Sequence, residues 1–324
     1  MKTLTTLSLA LLLLTTLSLT VVAQESDDRK TDSVPKGHDL TPKYTKGQKS
    51  RYRQTQTTDS TSEVMGQKSK SLSVLTYEFE QECTDIADDG TPSLKAKYTR
   101  VAIDDTTDGE KTADYDSAEG DKLDELEDGD KLKALLNGLE LSFTITKERK
   151  VADLKGFDEY KKRVKEQVSE MHAAMLESMN GDATMRDSME ASLRALPTEP
   201  VAVGDEWTNE WSTAMPTMGV FTYKVTYKFE SVEEKSGHKC AKLKASGEVE
   251  FTSEEDAAFE VSISDVEMNG TMFLDLDSRE TVFSEMVMKM TMELDMGIKV
   301  KTPSTVTTTL ELLDGEEADK EETK

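Results

Sequence analysis

The sequence predicts an α+β fold: a long, curved antiparallel sheet from two diverged repeats, with a helical layer packed on its apolar face. Three observations support it. Residues 286–300 alternate in polarity, with Met286, Met288, Met290, Met292, Leu294, Met296, Ile298 and Val300 on one parity and Val287, Lys289, Thr291, Glu293, Asp295, Gly297 and Lys299 on the other. Landmarks of the first half of the chain recur in the second. Between the halves, apolar residues recur at steps of three and four.

The alternation has the period of a β-strand, whose side chains point to opposite faces in turn. Fifteen residues at roughly 3.3 Å each make a strand on the order of 50 Å, long enough that the sheet must twist or curl. Its apolar face is mostly methionine, a flexible, polarizable side chain that fills irregular gaps and recurs at adaptable binding surfaces. Thioether ligation of Cu(I) is a remote alternative, motivated by the Met-x-Met spacing and by His172. The passage of the ladder into Leu294, Ile298 and Val300 favours an apolar wall instead.

The repeat rests on paired landmarks. Gly47 to Tyr52, Tyr77-Glu78-Phe79-Glu80 and Leu94-Lys95-Ala96 are matched by Gly204 to Asn209, Tyr227-Lys228-Phe229-Glu230 and Leu243-Lys244-Ala245. Asp88-Asp89-Gly90 and Lys235-Ser236-Gly237 fall between the last two landmarks of each set, as hairpin turns do, because such turns need positive φ. Asn137-Gly138 and Asn269-Gly270 are expected to form a second corresponding pair of hairpins. Turn chemistry common to all β-meanders is the alternative explanation.

The helical stripe comprises Phe157, Tyr160, Val164, Val168, Met171, Met175 and Met179, with charges elsewhere around the cylinder. Asn180-Gly181 ends it. Asp182 is placed to cap a second helix bearing Met185, Met189, Leu193 and Leu196, closed by Pro197. A shorter helix is expected over 130–136, with Leu132, Leu135 and Leu136 on one side. The expected organisation is a signal peptide (1–23), a flexible leader (24–42), one α+β domain (43–313) and an acidic tail (314–324). Within the domain, repeats at about 43–155 and 200–313 flank a helical insert at 156–197.

The leader has Lys2, an apolar run through Val22, and Val21 and Ala23 three and one residues before a cut ahead of Gln24. Export to a periplasmic or extracellular space is therefore expected, with no membrane-spanning segment after cleavage. The net charge of −25 repels phosphate backbones and argues against nucleic-acid binding. Cys83 and Cys240 are the two cysteines. In an oxidising compartment they are candidates for a disulfide, the alternative being two separate buried thiols.

The sequence has no nucleophile elbow, phosphate loop, dinucleotide fingerprint or His-Glu-x-x-His. His38, His172 and His238 are expected at solvated positions. Asp104 to Gly109 imitates the opening of a calcium loop, but Tyr115 stands where the bidentate Glu belongs, so an Asp-Gly hairpin is expected. Asn269-Gly270-Thr271 is a formal glycosylation sequon. The expectation is a non-enzymatic protein without a cofactor.

The stretch Leu196-Pro197-Thr198-Glu199-Pro200-Val201-Ala202-Val203-Gly204-Asp205-Glu206-Trp207 resembles an uncharacterised family of exported bacterial β-rich proteins. So do Leu141 to Ile145 and Val151 to Glu159, with Lys150 standing where that family's pattern has Gly. More distantly, long strands wrapped around helices are similar to periplasmic lipoprotein carriers, which shield acyl chains on a concave apolar face. Both resemblances are to a fold and are silent on chemistry; the methionine face and the helical stripe themselves lead to the expectation of a hydrophobic or lipid-like ligand, lined by Met286, Met288, Met290, Met292 and Met296 on the sheet and by Met171, Met175 and Met179 opposite. A structural or interaction protein of the cell envelope with a closed methionine core is the alternative.

Overall fold

A computed structural model describes residues 37–120, 122–178, 181–215, 219–253, 260–295 and 297–313. Twelve strands form one antiparallel sheet: β1 (Lys49–Val64), β2 (Gln67–Ile86), β3 (Pro92–Thr107), β4 (Glu110–Asp116), β5 (Glu140–Ile145), β6 (Val151–Lys155), β7 (Glu206–Met215), β8 (Gly219–Lys235), β9 (His238–Ser253), β10 (Glu260–Asp275), β11 (Thr281–Asp295) and β12 (Lys299–Leu312). The α-helices among the described residues are α1 (Asp128–Ala134), α2 (Phe157–Gln167), α3 (Glu170–Ser178) and α4 (Gly181–Arg194). The spatial order is β6-β5-β3-β2-β1-β12-β11-β10-β9-β8-β7, with β4 also paired to β3. Tight turns drive this meander. Met65-Gly66, Asp108-Gly109 and Ser236-Gly237 each place two consecutive residues at positive φ, the geometry that matches the twist of a two-residue hairpin.

The sheet is open, because β6 and β7 end the strand path without pairing to each other. Laid flat, eleven strands at about 4.8 Å spacing would hold those edges roughly 48 Å apart. Yet α4, about 21 Å long at 1.5 Å per residue, touches both. Val151 N, on β6, donates to Glu190 Oε1 at 3.0 Å. Trp207 Nε1, on β7, donates to the Ala195 carbonyl at 2.9 Å just past the helix, and Asn209 Nδ2 donates to the Arg194 carbonyl. Arg149, in the β5–β6 turn, donates to the carbonyls of Leu196 and Pro197 at 2.6 Å each. The sheet is therefore curled, and the end of α4 fastens its seam.

Most of the apolar strand side chains lie on one face, the Phe273–Phe283 pair being an exception. Register places Tyr52, Phe79, Tyr77, Leu75, Val101 and Ile103 on the same side as Leu310, Leu294, Val261, Leu243, Val225 and Phe229. One end of this inner face is tightly closed: Tyr52, Leu40 and Phe229 are fully buried and Leu243, Leu274 and Leu310 nearly so. The other face is polar, with cross-strand Thr55–Thr76, Thr208–Thr226 and Ser212–Thr222 pairs and many exposed Lys–Glu pairs that add little stability.

Several expectations need correction. The methionine strand does not run on to Val300: it stops at Asp295, whose carboxylate accepts from Gly297 N at 2.9 Å, and the chain reverses into β12. Val300 then faces Leu294 across the ladder, and Ile298 is exposed at the turn. Asn269-Gly270 is not a hairpin but the middle of β10, and Asn137-Gly138 is a turn leading from α1 into β5. The repeat landmarks match in strand order but not in register, since Leu94 faces Cys83 whereas Leu243 faces Phe229. A diverged duplication is thus not established.

The leader also folds sooner than expected. Leu40 is fully buried and His38 bridges Val201, so residues 37–42 belong to the packed body. The helical layer is only partial. The helices contact mainly β3, β6 and β7, and Leu176, Met189 and Leu193 join the core of the β1–β5 half.

Candidate functional site: a methionine floor with a polar margin

Following the register around the inner face at one level gives Val225, Gly247, Met268, Met288, Val306, Thr58, Ser73 and Asp105, each directly opposite the next. The adjacent level gives Tyr227, Ala245, Gly270, Met286, Thr308, Gln56, Leu75 and Ile103. Methionines therefore form a floor on β10 and β11, where Met268, Met272, Met286, Met288 and Met292 are only half-buried. Met290 is buried at 4% exposure.

Two glycines shape this floor. A Cβ on Gly270 would lie 2.9 Å from Met286 Sδ and 2.8 Å from the Glu285 carbonyl, and one on Gly247 would lie 3.0 Å from Met268 Sδ. Methionine side chains thus lie flat across strand positions that have no side chain. A glycine within a strand often marks such a close approach. The result is a smooth apolar surface without projecting branches.

The opposite bank of methionines is not where the stripe placed it. The long helix breaks at Ser169, whose N donates to Asp128 Oδ2 at 2.9 Å and whose carbonyl accepts from Ala173 N as α3 begins. The break turns Met171 outward to 67% exposure, so it does not line the interior. It also turns His172 inward, contrary to the solvated position expected, with Nδ1 3.0 Å from Ser169 Oγ and 3.2 Å from Asp128 Oδ2. Met179, Met296 and the side chain of Met175 lie outside the described residues. The second helix keeps its stripe: Met189 and Leu193 are fully buried and Leu196 nearly so.

Cys83 and Cys240 are both free, buried thiols on β2 and β9, so the disulfide is not formed. Burial, reinforced by Asp275, pushes the Cys240 thiol up to about 11, which keeps it protonated and a poor nucleophile. His238 Nδ1 lies 2.6 Å from Asp275 Oδ2 and is half-buried, again unlike the solvated position expected. His38 is exposed, edge-on to the Phe229 ring. Among the described residues no group of three His, Cys, Asp or Glu side chains is placed to hold a metal ion. The Asp108-Gly109 segment forms the expected hairpin.

A buried cluster of charge borders the floor at one margin. Lys133, from α1, lies 3.2 Å from Asp105 Oδ2 and 2.8 Å from Asp130 Oδ1, all three nearly covered. Gln54, Gln56 and Ser60 are buried on the same inner face. On the outer face, two shallow grooves of about 480 and 490 Å³ have polar walls, including Lys289 and Glu267 in one and Lys228 and Lys244 in the other. The residues that the sequence did not single out are Met268, Met272, Gly247 and the polar row, while Gly270 was expected in a turn; the parity of β10 could have revealed its two methionines.

The fold and its inner face define a class of protein: a single curled antiparallel sheet with one apolar face, seamed by a helix. Residues 89–308, about two thirds of the chain, match a family of unknown function, DUF6263, and the chain belongs to that family. No curated protein matches it. Among solved structures it is similar to a chain described under "lipid-protein interactions in lipovitellin", at 11% identity and a TM-score of 0.40, covering 83% of this chain and 25% of that one. The chain thus spans about a quarter of that protein's length. No helix of the described residues is long and apolar enough to cross a membrane.

Proposed function

We propose that this protein is an exported, non-enzymatic binder of hydrophobic or lipid-like molecules, held on the inner face of the curled sheet. One observation carries the reading: Met268, Met272, Met286, Met288 and Met292 form an apolar floor that is only partly buried, while the helices pack mainly elsewhere. A floor that was merely core would be covered, since interiors pack as densely as organic crystals. Half-covered apolar surface lined by adaptable side chains is what a binding site for acyl or similar groups offers.

Export follows from the apolar leader and its small residues before Gln24. It is tested by the N-terminal sequence of the protein recovered from outside the cytoplasm, which begins at Gln24 on this reading and at Met1 if the leader is retained.

The binding reading is tested by native mass spectrometry of gently extracted protein and by titration with Nile red. Co-purifying lipid and saturable, blue-shifted fluorescence are expected. If both are absent, the inner face is core, and the role is structural.

A further inference from the structure

The inner face is not uniformly apolar, and its polar margin has free hydrogen-bonding capacity. Thr58 Oγ1, Ser73 Oγ and Asp105 Oδ1 are buried atoms without a hydrogen-bond partner among the described residues. They sit on three adjacent strands, Thr58 opposite Ser73 and Ser73 opposite Asp105. Buried polar atoms in native proteins are nearly always paired, and one left unpaired costs the desolvation of that group. Three in a row on one face mark a place where a partner is missing. By contrast, the next pair along the same strands, Ser60 and Ser71, is closed by a 2.8 Å bond between its own hydroxyls.

The row's charge restricts the partner. Among the described residues Asp105 and Asp130 share Lys133, which engages Asp105 Oδ2 and leaves Oδ1 as a bare acceptor, and these three side chains sum to −1. A carboxylate or phosphate brought there would meet like charge in a poorly solvated setting. A hydroxyl donates to Asp105 Oδ1 and both donates to and accepts from Thr58 and Ser73. Distance along the sheet fits as well: Thr58 is two strands from Met288, about 10 Å at the usual spacing. A short head group can therefore reach the row while its chain lies on the methionine floor.

Resting on the interior-binding reading above, we propose that the ligand is an amphiphile with an uncharged, hydroxyl-bearing head of the acylglycerol type, its head on the Thr58–Ser73–Asp105 row and its tail across Met268, Met286 and Met288. The full mature chain, loaded with Nile red, is challenged with three competitors that share one 18-carbon tail: monoolein, methyl oleate and oleate. Monoolein is expected to displace the dye about tenfold more effectively than methyl oleate, the effect of one or two net hydrogen bonds. Oleate is expected to be the weakest of the three.

The double variant Thr58→Val, Ser73→Ala should narrow the gap between monoolein and methyl oleate to about threefold, the remainder being the hydrogen bond that Asp105 Oδ1 still accepts. Asp105→Asn should narrow the gap between monoolein and oleate by about tenfold, an effect that the overall negative charge of the chain cannot produce because only one unit of that charge is lost. If Asp105→Asn does not fold, the double variant decides the matter alone. Equal competition by monoolein and methyl oleate in the parent protein, or a gap that the double variant leaves unchanged, overturns this inference alone. Failure of Nile red to bind, together with the absence of co-purifying lipid, overturns the interior-binding reading with it.

Discussion

Gly270→Ala is a single-methyl probe of the methionine floor. Gly270 sits in the middle of β10, paired with Met286 on one side and Ala245 on the other, and its φ is not in the left-handed region. In a compatible backbone, replacing Gly by Ala normally stabilises by about 0.4–1 kcal/mol, through the unfolded chain. Here the new methyl would meet Met286 Sδ and Cε at 2.9 Å and the Glu285 carbonyl at 2.8 Å. The thioether can swing aside, but the carbonyl belongs to the backbone of the neighbouring strand. Overpacking of this kind costs about 1–3 kcal/mol, so a net loss of about 1–2 kcal/mol is expected. Urea unfolding of the parent, Gly270→Ala, Met286→Ala and the double variant measures it. The double variant should recover at least about 0.5 kcal/mol of the loss, since the thioether is no longer in the way. A midpoint unchanged or raised in Gly270→Ala, or an additive cycle, would show that Met286 does not lie across Gly270 and that the floor is not built as described.

Three further predictions follow from other parts of the molecule. Arg149→Ala removes donors to the carbonyls at and beyond the end of α4 and should cost about 2–4 kcal/mol by the usual worth of charged hydrogen bonds, with faster amide exchange in α4 and β6 than in β2. Both thiols should resist a disulfide-exchange reagent in the native protein and react upon unfolding, and reductant should leave the melting temperature unchanged; a drop on reduction would mean that Cys83 and Cys240 do pair. Burial alone would raise the Glu78 carboxyl, but Arg53 and Arg100 more than offset it and hold it below its ordinary value, and the neighbouring amides of Ser278 and Asp277, with His238, do the same for Asp275. Carboxylates depressed in the folded state stabilise fully above their unfolded pKa, so stability should be flat near neutrality and fall as pH drops below about 4, through the folded values. Glu78→Gln should flatten part of that acid limb.

How legible this structure was depended on contrast between faces. On β11 the alternation of Met286, Met288, Met290 and Met292 with Lys289, Thr291 and Glu293 fixed both the strand and its inward face. On β1 both parities are polar, Arg51, Arg53 and Thr55 against Gln54, Gln56 and Thr58, so a period of two carries no signal about which side is buried. The polar margin of the interior was hidden for that reason. Helix α2 was legible through Phe157, Tyr160 and Val164, but its end was not. The break at Ser169 depends on Asp128, 41 residues earlier, and an apolar stripe read through the break assigns Met171 to the wrong side. Asn269-Gly270 misled in the opposite way. The dipeptide favours a tight turn, yet here the glycine is required by the thioether lying over it, a constraint that exists only once β10 and β11 are paired.

The central claim is that a ligand lies on the methionine floor. It is tested most directly by irradiating the protein with a monoacylglycerol that bears a diazirine in its acyl chain, and mapping the adducts by peptide mass spectrometry. The account predicts labels on the β10 and β11 peptides carrying Met268, Met286 and Met288, suppressed by excess monoolein. Labels confined to the hairpin tips or to the outer face, or labels that excess monoolein does not suppress, would contradict it.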